Sequence, residues 1–189
     1  SELQALAAKV QSGKGATFKA TYTSSGSSSQ TIVFEQKPPK TFFSSGTSQV
    51  INNGSTTYFC SNDSGGSPTC IASSGSTNPL AGILDIFSGA TVTAFLQTAQ
   101  AQAAAHAAGY NLSYSNGTYA GQASKCISAT GPSGTGKYCV TDSGIIAYVD
   151  SGNGNVFQLT DYSTNVSDSD FQLPAGATTE TLPSGISIP

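Results

Sequence analysis

The chain has no tryptophan, no methionine and no arginine; all seven of its basic residues are lysine. Charge of either sign is scarce, at 9% of residues, against about 25% in an average soluble domain. There is a single histidine, and no apolar run approaches the roughly 20 residues that span a bilayer. These absences exclude whole classes of function. A net charge of -3 without Arg argues against nucleic-acid binding, which needs clustered Lys and Arg to neutralise phosphates. The planar, bidentate clamp that usually grips a phosphate or carboxylate ligand is missing too.

What is present is a chain of 189 residues, 37% hydrophobic, with 8 Tyr and 9 Phe. That suffices for one domain with a real core. The four cysteines fall in two local pairs, Cys60 with Cys70 and Cys126 with Cys139, each enclosing a Ser/Gly-rich loop. Four cysteines allow three connectivities, and local pairing is the expected one. A four-cysteine zinc site wants C-x₂₋₄-C spacing, which neither pair has. Each local loop would gain about 3 kcal/mol of closure entropy. Disulfides place the chain outside the cytoplasm, and the lack of an apolar leader suggests that a secretion signal was removed.

Periodicity organises the rest. SELQALAAKVQSG carries Leu3, Leu6, Ala7 and Val10 at helical spacing, with Gly13 as its stop. In ATFKATYT the period changes to two, with Phe18, Ala20 and Tyr22 alternating against Thr and Lys. QTIVFEQK, KTFFSS, SQVIN, STTYFC and Thr69–Ser73 read as further strands, with Pro38-Pro39 and Asn53-Gly54 marking turns. Asn78-Pro79 opens a helix with the stripe Leu80, Ile83, Leu84 and Phe87. After Ser88-Gly89 the same spacing recurs at Val92, Phe95, Leu96 and Ala99. A second meander follows: YNLSYS and TYAGQASKCIS about Asn116-Gly117, then KYCVT, GIIAYVDS and NVFQLTDYS. The expected fold is α+β, an antiparallel sheet of about ten or eleven strands with three short helices. It forms a single domain over 1–178, and 179–189 is an irregular tail.

Candidate chemistry is thin. GPSGTGK at 131–137 matches the start of a phosphate loop, but Tyr138 stands where Ser or Thr should hold Mg²⁺. A hairpin turn between two cysteines is the better reading. His106 lies near the end of an Ala-rich helix, where it suits the helix dipole, and the chain has no G-x-S-x-G elbow. Glu35 and Asp85 are carboxylates with apolar neighbours, and both are expected to face solvent. Asp161, Asp168 and Asp170 lack the spacing of a calcium loop and read as turn residues. Asn-x-Ser/Thr sequons occur at Asn53, Asn62, Asn111, Asn116 and Asn165. No catalytic activity, metal or cofactor is expected.

A large sheet twists and curls, and short helices closing it incompletely would leave an apolar cavity of the kind that holds ligands. The strand aromatics Phe18, Tyr22, Phe34, Phe42, Tyr58, Tyr114 and Tyr148 fit such a lining or an ordinary filled core.

The order of elements, with the strand ending Gln36–Lys40 in a basic-Pro segment and the closing Asp-Phe-x-Leu-Pro at 170–174, resembles the lipoprotein-carrier (LolA-like) superfamily. That superfamily includes the LppX/LprG-type lipid-binding lipoproteins of bacterial envelopes. The resemblance covers most of 1–178. It implies a strongly curved half-barrel sheet whose concave face is covered by helices, and a cavity for acyl chains without catalytic residues. The implied lining is Phe18, Tyr22, Phe34, Leu80, Ile83, Leu84, Phe87, Val92, Phe95, Leu96 and Tyr148. The carrier's lid-coupling Arg has no counterpart in this chain. The resulting expectation is a monomeric, secreted or envelope-anchored lipid binder, with a lipidated N-terminus as an anchor if the precursor carries one. The alternative is a protein-interaction or envelope-sensor module on the same fold.

Overall fold

Alternating stretches of the sequence become the strands of one sheet, and the Gly, Pro and Asn clusters between them become its turns. The computed structural model describes residues 2–13, 15–26, 29–62, 65–73, 111–132 and 134–181. Helix α1 (Glu2–Gly13) leads into β1 (Phe18–Ser25), β2 (Gln30–Lys37), β3 (Lys40–Ser45), β4 (Ser48–Asn52), β5 (Thr57–Ser61) and β6 (Thr69–Ser73). A second run comprises β7 (Asn111–Tyr119), β8 (Gln122–Gly131), β9 (Gly134–Thr141), β10 (Ile146–Asp150) and β11 (Val156–Ser163). A 3-10 helix, Asp168–Phe171, precedes β12 (Thr178–Thr181).

All twelve strands join one open, curved sheet in the order β12-β6-β5-β4-β3-β2-β1-β11-β10-β9-β8-β7. The first run steps outward from β1 to β6. The second starts at the opposite edge with β7 and steps inward until β11 meets β1. At that seam Lys19 pairs with Ser163 and Tyr22 with Leu159, and the register shifts between Thr21 and Tyr22. Thr160 is the extra residue of this bulge, and its hydroxyl donates to the Thr21 carbonyl at 3.1 Å. After β11 the chain crosses one face of the first run as a strap, then adds β12 parallel to β6.

The register sorts the side chains onto two faces. One face carries α1, whose Leu6 and Val10 pack on Ile127, Tyr138, Val140 and Ile146. It continues at the seam into Phe18, Ala20, Tyr22, Phe34, Ile145 and Leu159. The other face carries both disulfides, Cys60–Cys70 and Cys126–Cys139, each joining directly opposed residues of neighbouring strands. We refer to these as the helix face and the bridge face. At the end of α1 an added Cβ on Gly13 would lie 2.4 Å from the Gly144 carbonyl oxygen. Only glycine lets the helix end touch the β9–β10 turn.

Several expectations change. Among the described residues there is one α-helix; the two expected within 78–107 lie outside them. The tail is not wholly irregular, because β12 crosses the boundary drawn at 178 and pairs with β6. Asn116-Gly117 is not a turn: β7 runs straight through it, and the hairpin closes at Ala120-Gly121, both with positive φ. Gly117 is instead a packing residue. A Cβ there would sit 2.8 Å from the Tyr119 ring and 3.3 Å from the Cys126 sulfur. The Asn53-Gly54 hairpin does form, with a longer loop. Asn52 pairs with Thr57, and the Asn53 side-chain oxygen accepts from the Ser55 and Thr56 amides at 3.1 and 3.0 Å.

Candidate functional site

Successive pairings place one line of side chains straight across the helix face. Ala20 opposes Phe34, Phe34 opposes Phe43, Phe43 opposes Val50, Val50 opposes Phe59, and Phe59 opposes Ile71. At strand spacings of about 4.8 Å, the ladder from Phe34 to Ile71 is about 19 Å long. Its seam end is packed. Phe18 and Phe34 meet at 5.5 Å between ring centroids, and Tyr22 stacks on Phe157 at 4.4 Å. At its outer end Val50 is buried, while Phe59 and Ile71 are half-buried. Helix α1 lies at the other end of the sheet, on the strands of the second run.

The expected lining is thereby partly reassigned. Phe18, Tyr22 and Phe34 do share the helix face, where they are buried against one another and their neighbours. Burial pushes the Tyr22 phenol up, and that of Tyr138 likewise. Tyr148 is a correction. It pairs with Cys139 and stacks on Tyr119 at 5.4 Å, on the bridge face, because a register shift beside Ile146 sets its side chain there. Leu80, Ile83, Leu84, Phe87, Val92, Phe95 and Leu96 lie outside the described residues, as do Asp85 and His106. Phe43, Val50, Phe59 and Ile71 were not singled out in the sequence. In FF and YF pairs the alternation alone does not say which ring faces which way. Phe42 and Tyr58 in fact face the bridge side, against Ile51, Cys60 and Phe171.

The bridge face of the first run holds Lys19, Glu35, Lys37 and Lys40. Glu35 is not exposed as expected but 3% accessible, since the strap covers it. Its carboxylate accepts from Lys19 at 2.7 Å. Burial raises the Glu35 pKa, with Lys19 opposing that shift and Asp170 adding to it; Glu35 in turn raises that of Lys19. Asp170 closes a capping box on the 3-10 helix, accepting from the Ser167 amide at 2.9 Å. Asp168 binds both Lys40, at 2.9 Å, and Lys37, at 3.1 Å, and the two lysines hold its pKa below the ordinary carboxylate value. Lys9 pairs with Asp142 and lowers its pKa in the same way. Of these pairs, Asp168 with Lys37 and Lys40 ties the strap to the sheet, and Lys9 with Asp142 ties α1 to the β9–β10 turn. Among the described residues no group of His, Cys, Asp and Glu is placed to hold a metal, and no helix is long and apolar enough to cross a membrane. The 131–137 stretch forms the β8–β9 hairpin, with Gly131 opposite Gly134.

No family model matches the chain, and no curated protein matches it in sequence. Solved structures do. A crystal structure of an uncharacterized conserved protein from Thermus thermophilus superposes with a TM-score of 0.55 at 6% identity, covering 96% of this chain and all of that one. MucB aligns over 93% of this chain and 64% of its own, at 14% identity and a TM-score of 0.49. MucB in complex with MucA(peri) gives 13% identity, 100% and 66% coverage, and the same TM-score. The Thermus protein establishes that the open sheet is a recurring fold. The two disulfides fit an extracytoplasmic protein.

Proposed function

We propose that the chain is an extracytoplasmic, non-catalytic binding module of LolA-like type that takes an acyl chain along the helix face. The observation that carries this reading is the in-register ladder Phe34, Phe43, Val50, Phe59 and Ile71. It is about as long as an extended lipid tail, and a dozen methylenes laid on it would gain on the order of 10 kcal/mol before ordering costs. The connection 74–110 joins β6 near one edge of the sheet to β7 at the other. Its sequence carries Leu80, Ile83, Leu84, Phe87, Val92, Phe95 and Leu96, the rest of the lining expected for a lipid binder, which lie outside the described residues. No charged clamp is needed, which suits a chain without Arg.

Protein taken from its native host should release lipid into organic solvent, detectable by mass spectrometry. It should also bind a fluorescent fatty acid, and Phe59→Asp should abolish that binding while the melting transition persists. Absence of both lipid and fatty-acid binding in the unmodified protein defeats the carrier reading. One observation favours a second reading, an interaction or envelope-sensor module for a protein partner: Phe18, Tyr22 and Phe34 form a filled core rather than the wall of an open cavity. In that case apolar side chains of the partner would lie on the outer ladder, and Phe59→Asp would abolish complex formation instead.

A further inference from the structure

The two edges of the sheet are unlike. Edge strand β12 has four residues and carries Glu180, and natural sheets blunt their edges with such short, charged strands. Edge strand β7 has nine residues, NLSYSNGTY, with no charge and no proline. Its nine pairs with β8 run from Asn111–Thr130 to Tyr119–Gln122 without a bulge. Most of its side chains are exposed, including Tyr114, a large apolar ring that is 45% accessible. Among the described residues nothing pairs with its outer side.

The pairing pattern fixes which backbone groups are on offer. Cys126 and Cys139 face each other with 4.0 Å between Cα atoms, the short spacing of a non-hydrogen-bonded pair. Cys126 therefore turns its backbone groups away from β9 and toward Ser115, its partner on β7. It follows by alternation that Leu112, Tyr114, Asn116 and Thr118 point their N–H and C=O groups outward. We infer that β7 pairs antiparallel with β7 of a second copy of this chain about a two-fold axis at Ser115, replacing the monomer expected from sequence. That register sets Tyr114 against Asn116, and Leu112 against Thr118, twice each. All four outward-facing residues then meet outward-facing residues, as a ladder requires. Any other odd centre shortens the paired segment, and an even centre keeps fewer of the four matched.

Charge singles out a copy of the chain over an unrelated strand. Glu2 of α1 lies at the level of Tyr114, and Lys125 pairs with Asn116 on β8; both border a recess of 170 Å³ beside this edge. Reversal about Ser115 brings Lys125 of one copy to the level of Glu2 of the other, on both sides of the axis. The strand itself, having no charge, opposes no like charge. The inference does not depend on the cargo reading.

The test is sedimentation equilibrium of the full chain over a range of concentrations. A monomer–dimer equilibrium is expected. Asn116→Pro removes one outward N–H per copy at an edge position that tolerates proline, and should raise the dissociation constant about 100-fold. Tyr114→Lys, at an exposed site, should weaken the dimer as well. Lys125→Glu should weaken it in low salt, and Glu2→Lys added to that variant should restore it. A chain that stays monomeric at every concentration overturns the inference. So does a dimer that is unchanged by Asn116→Pro and Tyr114→Lys when both variants keep the parent melting transition.

Discussion

Each half of the sheet has one disulfide on the bridge face, and the two are built alike but covered differently. Cys126–Cys139 is covered by neighbours from its own meander, Tyr119 and Tyr148, with the Tyr119 hydroxyl 3.4 Å from the Cys139 sulfur. Cys60–Cys70 is covered by Val166 and Phe171, residues about a hundred positions away that arrive on the strap. A local cover forms with its hairpin. A distant one depends on whatever holds the strap down: the burial of Phe171, the Lys19–Glu35 pair beside Asp170, and Asp168 between Lys37 and Lys40.

The largest way to break this difference is Phe171→Ala. It is expected to cost about 3–5 kcal/mol in urea unfolding. It should also speed reduction of Cys60–Cys70 relative to Cys126–Cys139, as followed by thiol alkylation and peptide mapping. Equal reduction rates in that variant would contradict the strap's role as a cover. On the other side, Gly117→Ala pushes a methyl into Tyr119 and the Cys126 sulfur. It is expected to cost about 1–3 kcal/mol and to expose the second bridge without affecting the first.

The pH dependence sharpens the contrast. Glu35 has its pKa raised above 4.5 in the folded protein, so the folded state holds the proton more tightly than the unfolded chain. Stability should therefore fall as pH rises from about 4.5 through the raised value, and Glu35→Gln should remove this slope. Asp168 and Asp142 have lowered pKa values. Their contribution is present above the ordinary 3.8 and lost as pH falls through the lowered values. Denaturant midpoints measured from about pH 3 to 8 should thus peak in mild acid. A profile identical in Glu35→Gln would remove Glu35 from the account. The smallest effect belongs to Lys40→Gln, which loosens an exposed ion pair. Its shift in midpoint should vanish in high salt.

Strands, the leading helix and both bridges could be read from alternation, helical spacing and cysteine proximity, because those signals are local. The ladder could not. Phe42 and Phe43 are adjacent and equally apolar, and only the pairing of β2, β3 and β4 decides that Phe43 joins Phe34 and Val50. Glu35 escapes a sequence reading for a related reason. Its strand pattern says outward, and nothing in QTIVFEQK reveals that residues 164–177 will cross that side. Asn116-Gly117 misleads because the same dipeptide that favours a tight turn also supplies a missing side chain under Tyr119.

The strap has a mechanical consequence. The chain from β7 onward grips the first run at two separated places, through β11 on β1 and, beyond the strap, through β12 on β6. Had it ended after β11, the β2–β6 arm would be fastened along a single ladder and could peel away strand by strand from its outer edge. The clasp at β6 closes that arm into a loop of contacts, so neither end can open without releasing the other. The expected outcome is that this arm of the twelve-stranded sheet opens as one unit, with hydrogen exchange in β5 and β6 following that of the seam rather than that of a frayed edge.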